Sequence, residues 1–139
     1  MRAVRYAIPS LAPRRTTARA VLAALLARGA RPLVFTRTTA DASVLASCFG
    51  LPLLDPAWSP ERVFAQIRDD DPPPGLVATL ASVTGWRAAW ATDVLIVDPP
   101  TRAELAQAET RAARHGGSGS LLVGIVHEPG DRVSRLLHT

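Results

Sequence analysis

The stretch Asp93-Val-Leu-Ile-Val-Asp98-Pro-Pro-Thr101-Arg-Ala-Glu104 has the pattern of a buried strand, a polar strand end and a helix start. Its four central residues are apolar, as is typical of a strand inside a parallel sheet. Thr101 and Glu104 have the spacing of a capping box, which begins a helix. Because ligands of open α/β sheets bind beyond the carboxyl ends of the strands, Asp98 is the first candidate for a functional side chain.

Segments of strand length alternate with amphipathic segments along the rest of the chain. The predicted strands are Ala3–Ile8, Leu33–Thr36, Leu51–Asp55, the segment ending at Asp98, and Leu121–Val126. The predicted helices run from Thr16 or Thr17 to Gly29, from Thr39 or Asp41 to Phe49, from Pro60 to Asp69, from Gly75 through Leu76, Leu80, Val83 and Trp90, and from Thr101 to His115.

No two-residue hairpin turn joins the predicted strands, which favours parallel pairing with right-handed crossovers. We therefore predict an α/β fold: a doubly wound, Rossmann-like, mainly parallel sheet of about five strands with helices on both faces. Residues 1–139 are predicted to form a single domain of this type.

Composition limits the possible functions. The net charge of the 139 residues is +4, and all 16 basic residues are Arg. Since Arg titrates far above neutral pH, the high isoelectric point exaggerates this modest charge. No aromatic residues interleave with the arginines as stacking platforms would require, and this argues against a nucleic-acid partner.

The single cysteine, Cys48, excludes an internal disulfide and indicates a reducing, cytoplasmic location. It falls on an apolar helical face and is predicted to be a buried thiol. No apolar stretch approaches the roughly 20 residues of a membrane span. The acidic run 69–71 is predicted to be a solvated loop, and the scattered residues His115 and His138 do not form a metal site.

The loop after the first strand, Ser10–Thr17, contains no glycine. Dinucleotide and phosphate loops need glycine so that the backbone can approach the phosphates, and NAD, FAD and P-loop roles are therefore not expected. Arg14 and Arg15 stand beside hydroxyl groups at a predicted helix start, which suits an anion or a polyhydroxyl ligand. A solvated charged turn is the alternative.

The segment from His127 to Arg132 follows the last predicted strand and is rich in polar groups. His127 is a candidate general base that Asp131 would orient. The alternative is a Pro-Gly turn with solvated charges. Trp86 and Trp90 are predicted to belong to the core or to an interface.

Three segments, Leu22–Thr36, Phe49–Leu54 and Asp93–Asp98, resemble the N-terminal half of GT-B glycosyltransferases. The segment Pro129–Arg132 with the following His138 is similar to actinobacterial CGA synthase-related proteins. The resemblance implies an acceptor-side domain that transfers sugar only with a donor-binding partner subunit or in a homo-oligomer. It implies no cofactor bound by this chain, and a nucleotide sugar as co-substrate once a partner completes the cleft.

This resemblance also implies roles for residues at the ligand edge. Asp98 and His127 are the candidate catalytic bases. The candidate substrate-binding residues are Ser10, Arg14, Arg15, Thr36, Asp131 and Arg132, with no metal ligand among them. Under the resemblance the chain is either a subunit of a split enzyme or a degenerate binding module. The competing hypothesis is a noncatalytic interaction domain that uses Trp86, Trp90 and Cys48 in an interface.

Overall fold

Short apolar runs form the strands, and the segments between them form helices or extended loops. The computed structural model describes residues 2–82, 86–112 and 119–137. The strands are β1 (Arg2–Pro9), β2 (Pro32–Thr36), β3 (Leu76–Thr79), β4 (Asp93–Ile96) and β5 (Ser120–His127). The helices are α1 (Arg14–Ala27), α2 (Thr39–Phe49), α3 (Pro60–Gln66), α4 (Arg102–Ala112) and α5 (Ser134–Leu137), with a 3-10 turn at Leu80–Ser82.

All five strands pair in parallel in one sheet of order β1-β5-β4-β2-β3. Two apolar cores cover its two faces. On one face, Leu22 of α1 and Leu45 of α2 pack with Val34 and Leu95. On the other face, α4, α5 and the segment after β3 pack with the alternate strand residues. The predicted doubly wound, Rossmann-like α/β fold is therefore confirmed.

The structure contains the predicted capping box, the predicted side-chain cap of the helix at Pro60 and the predicted glycine at the end of α2. The Thr101 hydroxyl accepts from the Glu104 N–H at 3.1 Å, and the Glu104 carboxylate accepts from the Thr101 N–H at 2.8 Å. This reciprocal pair is the predicted capping box. The Ser59 hydroxyl caps α3, and Gly50 ends α2 with a left-handed φ of 64°. Glycine adopts that conformation without a steric penalty.

Helix α1 begins earlier than predicted, at Arg14 rather than at Thr16 or Thr17. Pro13 precedes it with φ −53° and ψ 141°, so the backbone turns into the helix directly after this proline. The predicted end of the helix after Thr101, at His115, lies outside the described residues, as do Val83 and His138.

The segment after Gly75 is a strand, and the helix predicted there is wrong. Leu76–Thr79 pairs with β2 and is buried along its whole length. A strand covered on both faces has no alternation of polar and apolar residues, so its apolar spacing can imitate a helical face. The 3-10 turn Leu80–Ser82 follows it directly.

The predicted strand Leu51–Asp55 is also wrong, although its position at the sheet edge is correct. Leu53 forms an isolated parallel bridge with Val77. The Leu54 N–H donates to the Val77 carbonyl at 2.8 Å, and the Val77 N–H donates to the Pro52 carbonyl at 3.0 Å. Since Pro52 has no N–H to donate, the ladder does not extend into a full strand.

Cys48 is exposed, and the predicted buried thiol is wrong. The inner face of α2 consists of Ala42, Leu45 and Ala46. Cys48 follows Leu45 by three residues, but the helix presents its buried side through the alanines instead. The buried side of α2 is therefore centred on Ala42, Leu45 and Ala46 rather than on Cys48.

Trp86 and Trp90 are core residues, as one of the two predicted alternatives stated. The Trp86 ring stacks on Phe35 with centroids 6.2 Å apart, and its indole N–H donates to the Ser82 carbonyl. The Trp90 indole N–H donates to the Ile67 carbonyl at 3.1 Å. Both buried indoles therefore have the hydrogen-bond partner that such groups need. Among the described residues, no helix is long and apolar enough to cross a membrane.

Gly124 of β5 provides space for a side chain of the neighbouring strand. A Cβ at this position would lie 2.8 Å from Ile8 Cδ1 and 2.9 Å from the Tyr6 hydroxyl. Tyr6 is the register partner of Gly124 in β1. The absence of a side chain at Gly124 is thus what allows the Tyr6 ring to lie across β5.

Gly124→Val is expected to lower the free energy of unfolding by about 1–3 kcal/mol, because the added methyl groups overlap Tyr6 and Ile8. Chemical denaturation measures this change. Gly119→Val is the matched control, since a Cβ at Gly119 meets nothing within 4 Å. Tyr6→Leu should relieve the overlap, so strictly additive effects of the two substitutions would contradict this packing.

Candidate functional site at the carboxyl edge of the sheet

The parallel register brings the loops after β1 and β5 together. Pro9 lies opposite His127, and the N–H of the following residue, Ser10, donates to the His127 carbonyl at 2.7 Å. The buried Ser10 hydroxyl donates to the Ala12 carbonyl at 2.6 Å and contacts the Thr17 hydroxyl. Ser10 therefore shapes the turn into α1, and its hydroxyl is engaged in that turn.

Asp98 connects three loops at this edge. Its Oδ2 accepts from the Arg37 N–H at 2.7 Å, and its Oδ1 accepts from Arg14 Nε at 3.2 Å. Only 12% of the Asp98 side chain is exposed. A carboxylate with donors on both oxygens is held in one orientation. This geometry suits a residue that positions the surrounding loops.

Arg14 lies among three carboxylates. Besides Asp98, its Nη1 approaches Glu128 Oε2 at 2.8 Å and Asp131 Oδ2 at 3.2 Å. The same Asp131 oxygen accepts from the Glu128 N–H at 2.8 Å, closing a turn in which Gly130 has φ 94°. The segment after β5 is therefore a Pro-Gly turn, as one predicted alternative stated, but its acids are paired with Arg14 rather than solvated alone.

Arg37 forms a second ionic contact at the same edge. Its Nη1 and Nη2 donate to the two carboxylate oxygens of Glu104 at 2.6 and 3.0 Å, and Nη2 also donates to the Pro99 carbonyl. The hydrogen bond from Arg37 lowers the pKa of Glu104 below its ordinary value, and Glu104 in turn raises the pKa of Arg37. The pair ties the end of β2 to the first turn of α4.

The remaining predicted site residues lie around this centre. Arg15 pairs with Asp41 on the surface, and the Thr36 hydroxyl donates to the Thr38 carbonyl at 2.7 Å. Arg132 is exposed, and within the described part of the chain it has no ion pair. The His127 side chain is half-buried, and no hydrogen bond of the described residues joins it to Asp98 or Asp131.

The structure thus brings Ser10, Arg14, Asp98 and Asp131 together and leaves Arg15 and Arg132 at the periphery. The roles suggested for these residues in catalysis and substrate binding stay predictions. Sequence reasoning did not select Arg37, Glu104 or Glu128 as site residues. Arg37 directly follows the last residue of β2, and this position alone indicates that it lies at the same edge as Asp98.

The chemistry of this edge is that of a closed ionic network. Among the described residues, no group of three or more His, Cys, Asp or Glu side chains is arranged to hold a metal ion. The acidic run 69–71 is exposed, and Asp70 pairs with Arg68. The two arginines at the centre, Arg14 and Arg37, are both occupied by carboxylates. An incoming anion would have to displace these carboxylates to reach them.

Comparison with known proteins yields fold relatives only. No protein-family model matches the chain, and no curated protein matches it. The structure of the C-terminal part of the Fun30 ATPase domain is similar, with TM-score 0.67 and 17% identity over 90% of this chain and 43% of that one. The DUF1998 helicase MrfA bound to DNA is also similar, with TM-score 0.73 and 17% identity over 91% of this chain and 19% of that one.

These neighbours correct the functional prediction. They are ATPase and helicase structures, so the resemblance to GT-B glycosyltransferases and CGA synthase-related proteins is wrong, and with it the prediction of an acceptor-side sugar-transfer domain. The resemblance depended on short apolar segments, which proteins of unrelated function with a parallel α/β sheet can share. The prediction of a donor-binding partner subunit depended on this resemblance and is wrong with it. The prediction against a nucleic-acid partner is also wrong, because one of the similar structures is bound to DNA. This chain spans less than half the length of either structure.

Asp98→Asn is expected to lower the free energy of unfolding by about 1–3 kcal/mol, because it removes a buried charge that accepts from Arg14 and the Arg37 N–H. Denaturant titration measures the change. The control is Asp70→Asn, whose ion pair with Arg68 is more than half exposed and should leave the free energy of unfolding almost unchanged. Equal effects of the two substitutions would show that Asp98 does not anchor the edge.

The Arg37–Glu104 pair predicts a pH dependence of stability. Because the folded pKa of Glu104 is depressed, its stabilisation is present above the ordinary carboxyl pKa and is lost as the pH falls through the folded value. Glu104→Gln keeps the reach of the capping box but removes the charge. At pH 7 it should be less stable than wild type by up to about 1 kcal/mol.

The difference between Glu104→Gln and wild type should shrink as the pH falls below the ordinary carboxyl pKa and through the depressed folded value, since the wild-type carboxylate becomes protonated over that range. Unfolding followed by circular dichroism at several pH values tests this. Glu61→Gln on α3 serves as the control. A difference that stays constant from neutral to acid pH would contradict the ionic contribution.

Proposed function

We propose that this chain is the nucleic-acid-binding α/β domain of a helicase-like ATPase and that it contacts the phosphate backbone through α1. The single observation that supports this most is the likeness to a DNA-bound helicase, with TM-score 0.73 over 91% of the chain. Likeness to an ATPase domain points in the same direction.

The binding surface consists of Arg15, Thr16 and Arg19 at the start of α1, and we call it the α1 surface. No acidic residue stands in the first turn of α1, and no side chain caps the helix. The positive end of the helix dipole at this terminus favours an anion. Arg15 and Arg19 are four residues apart and both exposed, so they extend along one side of the helix.

The α1 surface is better suited to phosphates than the interior of the edge is. Arg14 is surrounded by Asp98, Glu128 and Asp131, which repel a phosphate and already satisfy the guanidinium. Arg19 makes no ion pair within the described part of the chain, and the pair of Arg15 with Asp41 is half-exposed. Exposed pairs are weak, so a phosphate can compete with Asp41 for Arg15.

A phosphate loop for ATP would have to come from another domain. The loop Ser10–Thr17 has no glycine, and Ser10 and Thr17 use their hydroxyls on each other. The backbone of this loop therefore lacks the glycine cradle that phosphate loops use. In this arrangement, this chain contacts the nucleic acid, and a domain that carries such a loop hydrolyses the nucleotide.

The chain is expected to bind a 20-nucleotide single-stranded DNA in fluorescence anisotropy, with an affinity in the roughly micromolar or weaker range typical of nonspecific binding. Arg15→Gln with Arg19→Gln should weaken binding and reduce the slope of log affinity against log salt by about 1–2, because each arginine neutralises one phosphate.

The control replaces two exposed arginines on the opposite face of the sheet, Arg62 of α3 and Arg135 of α5, by glutamine. This variant loses the same charge but should retain the wild-type salt slope. Failure of the wild type to bind, or an equal loss in both double variants, would refute the α1 surface as the contact.

A further inference from the structure

The tip of the loop between β1 and α1 is apolar and exposed. Leu11, Ala12 and Pro13 follow one another there, and all three are exposed to solvent. The Leu11 side chain is 97% exposed, more than Val4 or Phe64, the other exposed large apolar side chains of the described residues. Single exposed apolar residues are common on protein surfaces, whereas a run of three in water is unfavourable unless a partner covers it.

Hydrogen bonds hold this loop tip in place at both ends. Before it, the Ser10 N–H donates to the carbonyl of the last residue of β5 at 2.7 Å, and the Ser10 hydroxyl donates to the Ala12 carbonyl at 2.6 Å. After it, the Thr16 N–H donates to the Pro13 carbonyl at 2.9 Å. Because the backbone is already ordered, a ligand that covers Leu11 loses little affinity to the ordering of this loop.

Exposed positive charge follows the loop tip directly. Arg15 and Arg19, the arginines of the α1 surface, are both exposed, and no aspartate or glutamate precedes Asp41 in the chain. Arg15 is four residues after Leu11, so the Cα atoms of these two residues are at most about 14 Å apart. An apolar tip beside such cations is complementary to a polyanion that also carries apolar groups.

A nucleic-acid strand has both properties, since its phosphates are negatively charged and its bases have apolar faces. The phosphates follow one another every few ångström, so a strand held at Arg15 and Arg19 passes within reach of Leu11. Leucine is one of the apolar side chains that nucleic-acid-binding proteins insert between bases. The loop tip and the α1 surface can therefore contact the bases and the phosphates of the same strand.

The strength of such a contact decides which form of nucleic acid can make it. In a duplex the bases are stacked, and unstacking one base step costs more free energy than covering part of one leucine returns. In a single strand the base faces are accessible without that cost. A contact between Leu11 and the bases is therefore favourable on single strands and unfavourable on duplexes.

We propose that Leu11 contacts the bases of a single strand whose phosphates bind the α1 surface. This inference rests on the proposed nucleic-acid contact and adds to it the part of the nucleic acid that is recognised. Arg15 and Arg19 contact the phosphates, which single strands and duplexes share. Leu11 adds an apolar contact that only unpaired bases provide, and the ligand class is therefore single-stranded nucleic acid.

Fluorescence anisotropy with three DNA ligands of equal length tests this contact. The ligands are a 20-nucleotide oligothymidylate, a strand of the same length made of abasic sites, and a duplex of the same length. The wild type should bind the oligothymidylate about fivefold more tightly than the abasic strand, because partial burial of one leucine contributes about that factor.

Substitutions of Leu11 should change only the base-dependent part of binding. Leu11→Ser should lower the affinity for the oligothymidylate about fivefold and leave the affinities for the abasic strand and the duplex unchanged. Its salt slope should equal that of the wild type, because no charge is removed. Leu11→Trp should raise the affinity for the oligothymidylate, since an indole stacks on a base.

Phe64→Ser is the matched control. It removes an apolar side chain that is 71% exposed and belongs to α3, on the other face of the sheet, so it should change none of the three affinities. Because Leu11 is exposed as well, both of its variants should fold like the wild type, which circular dichroism checks.

The possible outcomes separate the base contact from the phosphate contact. If the wild type binds none of the three ligands, the nucleic-acid proposal is wrong and the base contact is wrong with it. Equal wild-type affinities for the oligothymidylate and the abasic strand, with a salt slope that still depends on Arg15 and Arg19, would refute the base contact alone. An unchanged ratio of these two affinities in both Leu11→Ser and Leu11→Trp would also refute it. Leu11-dependent cosedimentation with phosphatidylserine vesicles, together with equal affinities for the two strands, would assign the loop tip to a lipid surface instead.

Discussion

The carboxylate of Asp98 is the contact on which the functional edge of this protein depends. It stands just beyond β4, the middle strand of the sheet, where it is 9% exposed. Its two oxygens hold the start of α1 through Arg14 and the end of β2 through the Arg37 N–H. A charged group so far from bulk water is tolerated only when both oxygens have donors. The loops that supply those donors are therefore held in one arrangement.

From Asp98 the ionic contacts extend outward in two directions. Arg14 leads to Glu128 and Asp131 in the turn after β5, and Arg37 leads to Glu104 in α4. The two arginines of this interior face four carboxylates, so no guanidinium is left there for an anionic ligand. Positive charge that is available to a partner lies instead at the periphery, on α1 and at Arg132. This distribution separates residues that hold the edge from residues that can bind.

The two faces of the sheet differ in what they leave open. The face covered by α1 and α2 is packed with alanine and leucine, and it presents the exposed side of α1 to solvent. The other face carries three tryptophans and a short helix, α3, and it leaves a cavity beside β3. The α1 surface therefore belongs to the first face, and the open space belongs to the face that carries the tryptophans.

Local chemistry in the sequence was enough to predict the parallel α/β fold, the capping box of α4, the capped start of α3 and the glycine end of α2. These features depend on neighbouring residues, whose spacing is visible in the chain. The sequence predicted a strand at Leu51–Asp55 and a helix from Leu76 onward, whereas the structure has its third strand at Leu76–Thr79. The tertiary structure decided this, because a strand buried on both faces carries no periodic signal. The exposure of Cys48 was also decided by the tertiary structure, because the packing of α2 on the sheet determines which side of the helix is buried.

The candidate site shows the same division. Position after a strand was enough to predict that Ser10, Asp98 and Asp131 lie at one edge. Which arginine meets which acid could not be read from the sequence, since Arg14 and Asp98 are separated by 84 residues and only the sheet order brings them together. The family resemblance failed for a related reason: short apolar signatures specify a strand and a helix, whereas only the complete arrangement of strands distinguishes one parallel α/β fold from another.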